Sequence, residues 1–461
     1  MHNNNDFTHP QYDEYNTQWA VLSDIFGGEK NIKSKTTEYL PATPGMKKDI
    51  EHSKTKKIGE ERYERYLFGA IFYNYFIDTL DAMVGLINSN PPDNITLPKS
   101  LDYLKTNCTP FGDDIRGLMS DLNIQQLSKG RTGLLLDSTV SGFKMLQYTC
   151  ENIINWSGSY VDGVYVLDFV LLKEPTLKRD NFVYTEVDNF RLCALDGNGV
   201  YYSTIIAEDQ IIDFDILNPP EEVIYPLSKG NTSSTIPFMF INSNNITPEC
   251  SNGPLLNLAN ICLHIYTSDA DYRQYIFGSS QDTLFISGFD ADELDVIRIG
   301  SGALIASTND NASASFIGIN SAGLSENRLS LENLHKQAAA MGVALLESGN
   351  ESGKALTIRS QVKTATMRTI TQTAAKAIEV LIRIGAQWEG LELDDADIII
   401  HPNSDFSDST KTIEEIDKLW TSRIPVSNET LHSNLIKTGV TDKTFLQEQK
   451  EINNNITNNE E

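Results

Sequence analysis

Residues 325–388 read SENRLSLENLHKQAAAMGVALLESGNESGKALTIRSQVKTATMRTITQTAAKAIEVLIRIGAQW. Two helical periods are joined here by a polar break. Leu331, Leu334, Ala338, Met341 and Leu345 fall on one stripe, so the spacing predicts a helix over 325–346. Glu347 to Lys354 then interrupts the pattern with two glycines among polar and charged residues. From Ala355 to Trp388 the stripe returns as Ile358, Val362, Ala365, Ile370, Ala374, Ala377, Leu381, Ile384 and Trp388. A helix of that length would be roughly 50 Å long. One apolar stripe with alanine-rich flanks, carried that far, calls for neighbouring copies of the same helix.

Working outward, Pro254 to Phe277 is a further helix, with Leu255, Leu258, Ala259, Ile261, Cys262, Ile265 and Tyr266 on its apolar face. Between it and Ser325, Leu284 to Ile319 reads as short strands broken by Gly, Asp, Ser and Asn. After Trp388 come one strand (Ile398 to Ile400), three short helices and an Asn-rich tail from Ile452. Upstream, the chain is β-rich. Gly133–Asp137, Lys144–Thr149, Gly163–Leu172, Phe182–Asp188, Phe190–Leu195, Val200–Glu208 and Ile236–Ile241 are rich in Val, Ile, Tyr and Phe. Asp196-Gly197-Asn198-Gly199 between two of them reads as a hairpin turn. Glu60 to Asn88 is expected to be one helix, stopped by Asn90-Pro91-Pro92, with a second helical stretch over 111–127. Residues 1–58 read as an irregular polar arm. The fold class that follows is α+β, and the order helix, β insertion, helix, loop, long helix resists folding into one core. A closed ring of copies would supply the missing neighbours.

Composition narrows the function. Among 461 residues, 63 are acidic and 37 basic, for a net charge of -26. Such a chain is a poor general nucleic-acid binder, because phosphate contacts are made by Lys and Arg. Five cysteines with no CxxC pair argue against a zinc knuckle or a disulfide framework and for a reducing compartment. No secretory leader and no apolar run of about 18 residues are visible, which predicts no membrane partner.

No motif for chemistry stands out. Gly130-Arg131-Thr132-Gly133 lacks the spacing and the Lys-Ser/Thr of a phosphate loop and reads as a turn entering a strand. Asp394-Asp395-Ala396-Asp397 reads as a solvated acidic loop. His264, His335 and His401 are isolated, and His264, on an apolar helix, reads as a core residue. The expectation is therefore no enzyme, no metal and no cofactor. The competing readings are a virion adaptor without a channel and a nucleotide-dependent enzyme using the 130–133 loop.

Several pieces, in order, resemble portal proteins of tailed double-stranded DNA bacteriophages, in particular a branch from short-tailed phages and prophages. They are GRTGLLLD at 130–137, Tyr148 with Glu151-Asn152-Ile153-Ile154-Asn155-Trp156, and GPLLNLA at 253–259 with Ser268-Asp269-Ala270-Asp271-Tyr272. Gly300-Ser301-Gly302, Asn403-Ser404-Asp405-Phe406 and Ser427-Asn428-Glu429-Thr430 complete the set. The resemblance implies a homomeric ring, usually of twelve subunits, at one capsid vertex of the virion, assembled in the host cytoplasm as a late protein. Double-stranded DNA would pass through it, without sequence specificity, during packaging and ejection. Its partners would be the terminase large subunit, the major capsid and scaffolding proteins, and a head-completion or tail adaptor (the head–tail connector).

The same resemblance divides the chain into an N-terminal arm (1–58), wing (59–252), first stem helix (253–281), clip (282–320) and second stem helix (321–346). A tunnel loop (347–356), a long helix (357–390) and a crown with its tail (391–461) follow. The DNA-channel residues it implies are Glu347, Ser348, Gly349, Asn350, Glu351, Ser352, Gly353 and Lys354 in the loop, with Lys336, Arg359 and Lys363 flanking. Trp156 is expected to pack the wing core at the end of a strand-like run, and Trp388 to be structural.

Overall fold

The computed structural model describes residues 7–279 apart from 90, 93 and 141, then 283–288, 309, 311–317, 323–342, 353–392, 394, 397–402 and scattered positions between 427 and 450. The N-terminal region is not an irregular arm. It forms helices α1 (Pro10–Phe26), α2 (Glu29–Ser34), α3 (Pro44–Glu51) and the start of α4 (Lys56–Gly69). Pro10 and Pro44 open helices. Their missing N–H costs nothing in the first turn, and His9 and Thr43 cap the two starts. Sparse apolar residues among many polar ones anchor this region, with Trp19, Leu22, Ile25, Ile32 and Met46 all buried.

The single helix expected over 60–88 is two, α4 and α5 (Tyr75–Ser89). Ala70 turns extended (φ -69°, ψ 142°), and Asn74 restarts the helix by accepting the Ile77 N–H on its Oδ1 at 3.1 Å. The Asn74 Nδ2 also donates to the Ile25 carbonyl at 2.9 Å, tying the break to α1.

Strand β1 (Asn94–Thr96) precedes α6 (Ile115–Lys129). Then come β2 (Arg131–Thr139), β3 (Gly142–Thr149), β4 (Ile153–Val161), β5 (Val164–Asp180), β6 (Val183–Leu195), β7 (Tyr201–Ile206) and β8 (Phe238–Asn242). They form two antiparallel sheets, in the orders β3-β2-β8 and β4-β5-β6-β7. The strand-like run expected to end at Trp156 continues to Val161 as β4, so Trp156 lies inside the strand, opposite Val170, rather than at its end. The two segments expected over 182–195 are one strand, β6. Asp196-Gly197-Asn198-Gly199 is a hairpin turn, in which Asp196 Oδ1 accepts the N–H groups of Asn198 and Val200, each at 2.9 Å.

The four-stranded sheet is covered on both faces near its middle. One face supplies Trp156, Val170, Leu172, Cys193 and Tyr201 to the main core, together with β2, β3, β8 and α6. The other supplies Ile154, Leu171, Phe190, Leu192 and Tyr202 to a second cluster closed by Phe7, Tyr12 and apolar residues of 211–223.

The C-terminal part of this unit holds α7 (Leu256–Ser279), β9 (Thr283–Ser287), β10 (Ser313–Ile317), α8 (Leu324–Met341), α9 (Gly353–Trp388) and β11 (Ile399–His401). The long helix starts at Gly353, so residues 353–356 belong to it rather than to the preceding loop. Its second half has a partner within the chain, contrary to the expectation that its stripe awaits neighbouring copies. Ala374, Ala377, Ile378, Leu381, Ala386 and Trp388 are buried in the main core, and Ile370 is buried as well. At Gly385 a Cβ would stand 2.7 Å from Leu136 Cδ2, so glycine lets the helix seat on β2. Trp388 Nε1 donates to the Asn231 carbonyl at 2.8 Å, and Thr373 donates to Gln126 Oε1 at 2.6 Å. β11 pairs with β1, which joins the residues just after the long helix to the body.

Residues 405–461 form a second unit. In it the His432 ring meets Phe445 edge-on at 5.5 Å, and the Thr441 hydroxyl donates to Glu448 Oε1 at 2.6 Å. The fold is α+β throughout.

Candidate functional site

The element order that set this chain apart is present as a helical hairpin with a small sheet between its arms. α7 and α8 pack through Leu258 and Ile265 on one helix and Leu331 and Ala338 on the other, with Leu334, Ile261 and Tyr272 beside them. Ala338 is fully buried, and its small side chain permits close approach of the two helices. His335 fastens the pair to α5. Its ring meets Tyr73 edge-on at 4.9 Å, and its Nδ1 shares a hydrogen bond of 2.9 Å with the Tyr75 hydroxyl. Gly342 ends α8 against α5, where a Cβ would come 2.6 Å from Thr79 Oγ1.

The base of α7 is deeply set: Leu258, Ala259, Cys262, Ile265 and Tyr266 are all buried. Tyr66 donates to Asp271 Oδ1 at 2.6 Å, and Arg273 pairs with Asp269 at 2.6 Å. The far ends differ. Ile276 and Phe277 are exposed on α7, as is the first turn of α8 over 325–330. Beyond them β9 and β10 pair antiparallel, Ser287 opposite Ser313, with their hydroxyls 2.8 Å apart. The hairpin is therefore rooted at one end and open at the other.

The sequence-predicted channel residues divide accordingly. Lys336 is exposed on α8. Gly353, Lys354, Arg359 and Lys363 lie in the first third of α9. Glu347, Ser348, Gly349, Asn350, Glu351 and Ser352 lie outside the described residues. Trp156 and Trp388 are both buried in the main core. His264 is exposed rather than in the core, because it points away from the buried stripe of α7.

The 130–133 loop cannot act as a phosphate loop. A phosphate site uses the amino end of a helix, where free N–H groups and the positive end of the dipole converge. Gly130 instead follows the carboxyl end of α6, in the left-handed conformation (φ 84°), with its N–H donated to the Gln126 carbonyl at 3.1 Å. A Cβ there would lie 2.6 Å from the Gly253 nitrogen, so the loop is roofed by backbone. Arg131 is fully buried between Trp156, 4.3 Å from its guanidinium, and Phe240, 4.6 Å away, and it also reaches Cys250 Sγ. This cation braces the two sheets. Sequence reading missed it; the signal was an arginine opening a strand beside two glycines.

Nucleophile chemistry is disfavoured at the thiols. Burial pushes Cys108 up to about 12 and Cys193 and Cys262 up to about 11, so all three stay protonated near neutrality. Among the described residues, no group of three His, Cys, Asp or Glu side chains could hold a metal ion, and no helix is long and apolar enough to cross a membrane.

Residues 254–389, the span from α7 through α9, match the model of a domain family of unknown function, DUF4055. No curated protein matches the chain. Similar solved structures include the neck of an empty gene transfer agent particle computed with C6 symmetry, at a TM-score of 0.42 and 12% identity, covering 80% of this chain and 91% of that one. A second is the neck of the native particle computed with C12 symmetry, at a TM-score of 0.40 and 10% identity, covering 80% and 91%. A third is the virion of the native particle, at 0.40 and 10%, covering 80% and 90%. None of the three descriptions names a short-tailed phage.

Proposed function

We propose that this chain is the subunit of a homomeric portal ring, a head–tail connector through which double-stranded DNA enters and leaves a phage-like particle. The observation that carries the reading is the hairpin of α7 and α8, rooted in the body and open at the end that bears the β9–β10 sheet. A ring of such hairpins has a wall of helices and a rim of small sheets, which suits a channel with a docking face. The surplus of 26 negative charges fits a conduit that must pass DNA without holding it, since every Lys or Arg contact to phosphate is a brake.

In this reading Lys336 and the 347–354 segment, with Arg359 and Lys363, face the DNA. The motor, capsid and tail proteins dock at the two rims, and the ring has twelve copies. Negative-stain microscopy and native mass spectrometry of the purified chain test the ring, and monomers alone at micromolar concentration overturn it. Deleting Gly349 to Ser352, or Lys354→Glu, tests the channel. Rings should persist while packaged DNA length or retention falls, and normal packaging in both variants sinks that assignment.

A further inference from the structure

Strands β5 and β6 outrun their sheet. The pairing of β4 with β5 ends at Ile153 and Leu172, and that of β7 with β6 ends at Ile206 and Phe190. Beyond those pairs the two strands continue alone to the turn at Asp180–Val183, a ribbon of roughly 25 Å at the usual rise per residue. A two-stranded ribbon is marginal in water by itself. This one also carries Leu177 at 67%, Phe182 at 97% and Tyr184 at 60% exposure. Near its end Lys178 and Arg179 are exposed and form no ion pair among the described residues, with Asp180 and Glu186 exposed beside them.

The segment after β7, unlike the mixed-charge ribbon, is acidic alone. Residues 205–227 hold Glu208, Asp209, Asp213, Asp215, Glu221 and Glu222, all exposed, with no Lys or Arg among them. Ile212, Leu217 and Ile224 are exposed beside them. Within one chain neither surface covers the other, as their exposure shows.

We infer that the ribbon of one copy docks on the acidic, apolar 205–227 flank of the next copy. Arg179, which shares a ribbon face with Leu177 and Tyr184, then meets carboxylates, and Leu177, Phe182 and Tyr184 meet Ile212, Leu217 and Ile224. The two patches differ, so the contact is heterologous, the kind that propagates head to tail and closes into a ring. The inference rests on the ring reading above and names the surfaces that make the ring.

The test mixes a Lys178→Cys chain with a Glu222→Cys chain and adds a short bismaleimide. Of the native cysteines, four are buried and Cys250 is half-buried, so the unmodified chain serves as the background. The mixture should give a crosslinked dimer that neither chain gives alone. Separately, Phe182→Ser combined with Arg179→Glu should lower the ring fraction by at least about tenfold, as expected when an interface anchor is lost, with an unchanged melting temperature of the monomer. Rings that form without the crosslink, or that survive the double substitution, overturn the docking and leave the ring reading intact. An unmodified chain that never assembles overturns both.

Discussion

The same two strands, β5 and β6, are core at one end and surface at the other. Over Phe169–Leu172 and Phe190–Ala194 they have a neighbouring strand on each side and a layer on each face, and Val170, Cys193 and Ala194 are fully buried. A few residues further on, Leu177, Phe182 and Tyr184 are no less apolar and stand in solvent. Hydropathy alone therefore does not decide burial. What differs is the layering: β2, β3, β8 and α6 cover one face of the body, and Phe7 and the 211–223 segment cover the other, while no layer reaches the ribbon. An apolar side chain that has outrun its own layers is a signal for a partner, whereas the same side chain inside them is a signal for stability.

The largest expected effect lies in the body. Trp156 stacks on His9 at 3.8 Å, lies 5.7 Å from Phe240 and carries the Arg131 guanidinium over its ring at 4.3 Å. Trp156→Ala should cost about 3–5 kcal/mol, read from urea unfolding of the monomer. A loss below about 1 kcal/mol would mean that this end of the sheet is no more a core than the ribbon is. The next effect marks the junction. Glu174 pairs with Arg191 at 2.7 Å and accepts from the Tyr148 hydroxyl, just where β4 stops. Glu174→Ala should cost about 1–2 kcal/mol, because it strands a half-buried guanidinium. A neutral result would move the boundary of the body back toward Leu172.

A smaller effect reads the N-terminal cover. The His9 ring is pushed below its ordinary value of 6.5 by burial first and by the nearby Arg131 charge second, with Asp13 opposing. Nδ1 accepts the Gln11 N–H at 3.1 Å, which requires that nitrogen to be unprotonated. The folded state thus favours neutral His9. Its contribution is complete above 6.5 and is lost as pH falls through the lower folded value. Melting between about pH 7.5 and about pH 5 should show a steeper loss for the unmodified chain than for His9→Gln. Equal slopes would mean that α1 does not cover the sheet through this ring.

The C-terminal half of the pattern was legible because long periodic helices announce themselves. Leu258 to Tyr266, Leu331 to Ala338 and Ile370 to Trp388 all form helices where the spacing placed them. The N-terminal helices were not legible, since Trp19, Leu22, Ile25 and Ile32 are diluted by Asn, Lys and Glu, and Pro10 and Pro44 stand at helix starts, where proline serves as well as in a loop. The second half of β4 escaped because Ser157, Gly158 and Ser159 carry no apolar pattern beyond Trp156. The rooted end of the hairpin depends on His335 meeting Tyr73 and Tyr75 across about 260 residues of sequence, a contact that no local period encodes.

The smallest expected effect is the most discriminating. In the ribbon, Phe182 sits beside Asn181, which holds a positive φ of 52° in the turn, and is 97% exposed. If the ribbon carries no load in the single chain, Phe182→Ser removes no buried area and should shift monomer stability by no more than about 0.5 kcal/mol. Leu177→Ser, one-third covered, should do little more. Trp156→Ala, on the same sheet, is the internal standard against which these values are read. A loss above about 1 kcal/mol for Phe182→Ser would show that part of the chain folds back over the ribbon, and the contrast between the two ends of β5 and β6 would collapse. A silent substitution in the monomer that nonetheless weakens assembly would fix the contrast: burial within the chain at one end, burial between chains at the other.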